Sequence, residues 1–132
     1  MSDEAAILRR YRTIAVVGLS SDPSRVSHGV AKYMRDAGYR IVPVNPTEDE
    51  VLGETSYATV ASAPQAVEIV DVFRRAEFVP EIVDDAIAAG AKVVWLQEGI
   101  VHEEAAAKAR AAGLEVVMDR CIRSAHQRLS AG

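Results

Sequence analysis

Five short runs rich in Val and Ile recur along the chain, at residues 13–17, 40–44, 67–73, 92–96 and 115–118. Most lack the in–out alternation of a half-exposed strand, which is the pattern of parallel strands covered on both faces. Helical periodicity fills the gaps between them. Val30, Met34 and Ala37 share one face, Val79, Val83, Ala86 and Ile87 a second, and Ala105, Ala109 and Ala112 a third. Alternating strand and helix predict an α/β fold, an open parallel sheet of about five strands with helices on both faces.

A small signature recurs in AGYRIV (37–42), AGAKVV (89–94) and AGLEVV (112–117). Each reads as a helix end, a glycine in the left-handed position after it, and the entry to a strand. The spacing is uneven, so these are returns of successive crossover units and not a solenoid repeat. Residues 45–64 break the rhythm with prolines, acids and Gly53, and are expected to form a long loop with at most a short helix. An amphipathic helix is expected at 3–11, carrying Ile7, Leu8 and Tyr11, and a trailing one at 120–129. Ser27 is the expected N-cap of the first crossover helix, and Pro80 suits the first turn of the next. Glu104 and Lys108 are spaced to pair along the third. Pro43 cannot feed a central ladder, so the second strand belongs at an edge. That gives the order 2-1-3-4-5 of a Rossmann-like sheet, whose switch point lies between the first and third strands, where ligands bind beyond the strand tips. Residues 18–21 and 73–75 fall there.

At 132 residues the chain is expected to be a single domain, 1–132. Hydrophobic residues at 49% and charged residues at 26% exclude a disordered chain. A net charge of −4 argues against a nucleic-acid partner. No apolar run approaches the ~20 residues of a membrane span, and the opening MSDEAAILRR is acidic where a signal peptide is basic. Cys121 is the only cysteine. It excludes an internal disulfide and a Cys-rich zinc site, no metal is expected, and a reducing cytoplasm is the expected compartment.

The segment AVVGLSSDPSRVSHGVAKYM (15–34) runs from strand through a small polar loop into a helix. Gly18 stands where a side chain would collide with a ligand lying across the strand tips; a larger residue there is expected to block the ligand and leave the fold intact. Leu19, Ser20 and Ser21 follow, and the helix start offers backbone N–H donors and a positive dipole end to a phosphate. Arg25 adds charge. Phe73, Arg74 and Arg75 follow the third strand, and guanidiniums suit bidentate phosphate recognition. The bland alternatives are a tight, self-capped turn and arginines paired with Glu77, Glu81 or Asp84. Arg120 and Arg123 are candidates to extend the basic rim.

A dinucleotide site of the NAD type normally places an acid at the end of the second strand. Here Val44, Asn45, Pro46 and Thr47 occupy that place, and no acid appears until Glu48. The G-x-G-x-x-G and G-x-x-x-x-G-K-[ST] spacings are both absent. A nucleotide whose adenosine end is held differently remains.

VVGLSSDPSR, PVNP (43–46), VLGETSY (51–57), VDVFRR (70–75), WLQEGI (95–100) and VMDRC (117–121) together resemble the small bacterial and archaeal CoA-binding proteins, similar to the CoA-binding domain of the succinyl-CoA synthetase α subunit. The resemblance covers residues 7–129. It implies coenzyme A as ligand, with the diphosphate on Gly18, Leu19, Ser20, Ser21 and the helix start. It also implies the adenosine side along Val44, Asn45 and Pro46, contacts from Phe73, Arg74 and Arg75, and a rim of Gln97, Glu98, Gly99 and Ile100. The synthetase's phosphohistidine domain has no counterpart in this sequence, so its ligase reaction is not implied.

No residue set reads as a catalytic constellation. His28 is expected to be a solvated helix residue and His102 a capping or solvated one, and His126, in the trailing helix, gives no signal. Cys121, between Arg120 and Arg123, is a candidate for thiol exchange, since positive neighbours favour the thiolate; a small packed core residue is the alternative. The leading expectation is therefore a non-enzymatic domain that binds CoA or acyl-CoA as carrier, sensor or regulator. The alternatives are a small enzyme using Cys121 in CoA thiol or thioester chemistry, and a module for another nucleotide such as NAD.

Overall fold

The computed structural model describes residues 3–131. Helix α1 (Glu4–Arg10) leads into strand β1 (Thr13–Val17), and α2 (Val26–Asp36) returns the chain to β2 (Arg40–Val44). A hairpin of β3 (Glu50–Val51) and β4 (Glu54–Thr55) follows. Then come β5 (Ile69–Val72), a 3-10 turn (Ala76–Phe78), α3 (Val79–Ala88), β6 (Val93–Leu96), α4 (Glu103–Ala111), β7 (Glu115–Val117) and α5 (Ile122–Ala131).

The main sheet has five parallel strands in the order β2-β1-β5-β6-β7. Counting only its own strands this is 2-1-3-4-5, the order that the placement of Pro43 predicts. Pro43 pairs with Val16 on the edge strand β2. Strand alternation divides the core in two. Ala15, Val17, Val70, Val72, Val94 and Leu96 face α3 and α4, whose Val79, Val83, Ala86, Ala106 and Ala109 cover them. Ile14, Val16, Ile69, Val93 and Trp95 face α1, α2 and α5 through Ile7, Leu8, Val30, Met34 and Ile122. Both faces are dry, which is why the strand sequences show no polar period.

Three local expectations are corrected. The segment 45–64 is not only loop: Leu52 (φ 54°) and Gly53 (φ 77°) make the tight turn of the β3–β4 hairpin. Ser27 does not cap α2. That position belongs to Arg25, which makes no side-chain cap bond, while the buried Ser27 Oγ accepts the Ser20 N–H at 3.1 Å. Lys108 reaches across to Asp84 of α3, an ion pair between helices where the spacing pointed to Glu104 on its own helix. Pro80 does sit in the first turn of α3, and His102 does cap α4, its Nδ1 accepting the Ala105 N–H at 3.1 Å.

Candidate functional site

The site is built from the tips of β1 and β5, the two neighbours at the switch point. β1 ends on Gly18, whose φ of 88° is left-handed and favours glycine. A Cβ built there would lie 3.1 Å from both the Arg74 Cδ and the Phe73 carbonyl oxygen. The glycine thus lets the segment after β5 lie directly on the end of β1. A larger residue at 18 disturbs the protein as well as any ligand, which corrects the expectation that such a change leaves the fold intact.

The loop after Gly18 is largely self-bonded. The Gly18 N–H donates to the Val44 carbonyl (2.8 Å), Ser20 N–H to Ser27 Oγ, Asp22 N–H to Ser20 Oγ (3.0 Å) and Ser24 N–H to Asp22 (2.9 Å). The Ser21 N–H donates to Glu48 Oε2 at 2.7 Å. That contact holds the Glu48 carboxyl below its ordinary pKa; hydrogen bonds from Ser24 do the same for Asp22. The expected row of open amides is therefore narrower than the sequence implied. What remains includes the helix start, where Val26 and Ser27 open α2 behind an N-cap with no side-chain bond. Asn45 fixes this loop to the end of β2, its Nδ2 donating to the Leu19 carbonyl (3.0 Å) and its Oδ1 accepting from Thr47 N–H and Oγ1. Leu19 itself is fully buried.

Two clefts flank the strand tips, each of about 330 Å³. The first lies on the α3 face and is lined by Val17, Val44, Pro46, Ala58, Thr59, Arg74, Glu81, Ile82 and Asp85. The second lies on the α2–α5 face and is lined by Val26, Phe73, Gln97, Glu98, Ile100, Cys121, Arg123 and Ser124. Of the sequence-predicted residues, Val44, Pro46 and Arg74 line the first and Phe73, Gln97, Glu98 and Ile100 the second, while Gly18, Leu19, Ser20, Ser21, Arg25, Asn45, Arg75 and Gly99 line neither. Arg74 stacks over Phe78 with its guanidinium carbon 4.2 Å from the ring centre, and forms no ion pair among the described residues. Arg75 lies farther from the same ring, 5.6 Å from its centre, is exposed, and pairs with Glu77 at 3.3 Å, one of the acids named as alternative partners. Arg25 is exposed at the α2 start. Arg120 turns away to Glu4 of α1 (3.5 Å) and does not extend the rim, whereas Arg123 lines the second cleft.

Around the second cleft, Gln97 Oε1 accepts the Ile122 N–H at 3.1 Å, capping α5 from the tip of β6. The Gly99 N–H donates to Asp119 at 2.7 Å, and Asp119 itself sits at a φ of 59°. Cys121 precedes α5 and is 9% exposed. Burial acts to raise its thiol pKa, but hydrogen bonding from the Ser124 amide and hydroxyl, Gln97 and the Arg123 amide outweighs it, and the value lies below the ordinary thiol. The cause is the helix start, and the flanking guanidiniums invoked from the sequence do not enter.

The residue that sequence reading missed is Asp71, the lone acid in the V-D-V of β5. It is 1% exposed, its Oδ1 has no hydrogen-bond partner, and burial, then the neighbouring Cys121, push its carboxyl well above the ordinary range. The signal was present: an acid inside a fully apolar strand is rare without a reason.

Comparison with known proteins gives the family and the fold. Residues 12–127 match the model of the CoA binding domain family, and the chain belongs to that family. It is 47% identical over 120 residues to the uncharacterized Bacillus subtilis protein YneT, covering 91% of this chain and 89% of that one. A solved structure described as a hypothetical protein from Pyrococcus horikoshii superposes with a TM-score of 0.94 at 44% identity, over 97% of this chain and 90% of that one. The chain is also 25% identical over 121 residues to an ADP-forming acetate–CoA ligase of Archaeoglobus fulgidus, covering 84% of this chain but 18% of the ligase. No helix among the described residues is long and apolar enough to cross a membrane.

Proposed function

We propose that the chain binds coenzyme A or an acyl-CoA as a non-catalytic carrier, sensor or regulatory domain, the ligand crossing the strand tips from one cleft to the other. The observation that carries this reading is the pair of clefts on opposite faces of the sheet at the strand tips, the consecutive residues Phe73 and Arg74 lining one each. A ligand with a compact nucleotide at one end and a long thiol-bearing arm at the other has the shape to fill both. The adenosine side lies along Val44, Asn45 and Pro46, and the diphosphate passes over Gly18, Leu19, Ser20, Ser21 and the α2 start. Arg25, Phe73, Arg74 and Arg75 flank it, and the arm runs toward Gln97, Glu98, Gly99 and Ile100. Membership of the CoA-binding family supports the ligand class. Asn45 stands where NAD recognition places an acid, and its side chain is committed to the loop, which disfavours a dinucleotide. The ligase reaction of the larger relatives is no part of the proposal, and a cytoplasmic setting suits a lone thiol.

Titration calorimetry against CoA, acetyl-CoA, NAD and ATP tests it. One CoA or acetyl-CoA bound per chain, with weaker or no binding of NAD and ATP, is the expected result. Preference for NAD or ATP, or no heat with either CoA form, overturns it.

A further inference from the structure

The second cleft carries chemistry that binding alone does not use. Cys121 lines it, just ahead of the ten-residue helix α5, together with Gln97, Arg123 and Ser124. Strand alternation turns Asp71 to the same face as Phe73 and, across the register, Trp95, the face on which Cys121 packs. On that face Asp71 is 1% exposed and its Oδ1 has no partner, and Cys121 is the titratable neighbour that adds to the rise of its carboxyl pKa. A buried carboxyl with an oxygen left unpaired calls for a reason beyond core packing. At the mouth Val26 is a large apolar side chain left 69% exposed, and Phe73 and Ile100 continue that apolar wall.

We propose that this cleft is a thiol–disulfide exchange site, in which the Cys121 thiolate takes up the thiol end of a coenzyme A-type disulfide and holds it as a mixed disulfide. The inference rests on the CoA reading above. The Cys121 sulfur attacks one sulfur of the ligand disulfide. That S–S bond breaks as the Cys121–S–S–ligand bond forms, and the second ligand half departs as a thiolate. One disulfide is consumed and one is made, so no further oxidant is needed. Helix-start donors favour the attacking thiolate, and the apolar wall lodges the arm that bears the disulfide.

The test is intact-mass spectrometry of the reduced protein after incubation with CoA disulfide, and in parallel with cystine, which has the disulfide without the nucleotide. The expected result is a single CoA adduct, reversed by dithiothreitol, absent in Cys121→Ser, and formed about tenfold or more faster than the cystine adduct because binding orients the reacting sulfurs. Calorimetric binding of reduced CoA is measured on the same preparation. CoA binding with no adduct, or equal rates with cystine, overturns the exchange site and leaves the binding reading standing. Absence of CoA binding overturns both.

Discussion

Arg74 and Arg75 are neighbours in sequence in different electrostatic situations. Arg74 is half-buried, braced on Phe78 and free of ion pairs among the described residues, while Arg75 is exposed and already paired with Glu77. Arg74→Ala is therefore expected to weaken CoA binding by ~1–3 kcal/mol, the value of a charged hydrogen bond. Arg75→Ala is expected to change it by less than about 0.5 kcal/mol, as an exposed ion pair contributes little. Calorimetry on the two variants distinguishes them; equal effects would mean that Arg74 is not the phosphate anchor. Asp71 gives a prediction for stability. Its folded pKa is raised, so the neutral form is favoured by folding. The contribution is fully present below the unfolded carboxyl value of about 3.9 and is lost as pH climbs toward the folded one. Asp71→Asn, which never ionises, should gain on wild type between pH 4 and pH 7 in urea unfolding. A pH-independent difference would refute the buried-acid account.

Among the elements, α5 depends on a side chain from another strand. Gln97 at the tip of β6 accepts the first amide of α5, so Gln97→Ala should lower stability by about 1–2 kcal/mol through loss of that cap, read as a drop in Tm. The elements also show what a sequence displays. The five strands of the main sheet were legible because each is an unbroken apolar run, and Pro43 fixed the order because a missing N–H is a topological statement. The β3–β4 hairpin was not. Its strands are two residues long, too short for a period, and its turn reads Leu-Gly where Asn-Gly is the recognisable signal. The contacts of Ser27 with Ser20, Lys108 with Asp84 and Glu48 with Ser21 were equally hidden, because each joins residues that only the folded backbone brings together. At the candidate site, Gly18, Phe73 and Arg74 were readable as strand-end residues. The placing of Val44 and Pro46 in one cleft and of Gln97, Glu98 and Ile100 in another was not, since it depends on which face each strand-end side chain takes.

For the whole molecule, the two clefts lie on opposite faces of one sheet and share no lining residue. The two halves of the proposed ligand should then bind at the same time. ADP and pantetheine titrated together are expected to give independent heats, and mutual exclusion would place both in one cleft. Whole CoA, joining them covalently, should bind more tightly than either fragment because the second contact is intramolecular. Its stabilisation of the fold should also grow with ligand concentration over Kd.

The carboxylate that Glu48 presents to the Ser21 amide has a bearing on selectivity. An anion arriving at this loop meets a competitor supplied by the chain itself. Orthophosphate or sulfate, bringing nothing but charge, has little with which to evict it. A phosphoester tethered to groups that also fill the neighbouring hollows can compensate for the eviction. Glu48→Gln should accordingly make the protein less discriminating, allowing inorganic phosphate to raise Tm where wild type ignores it.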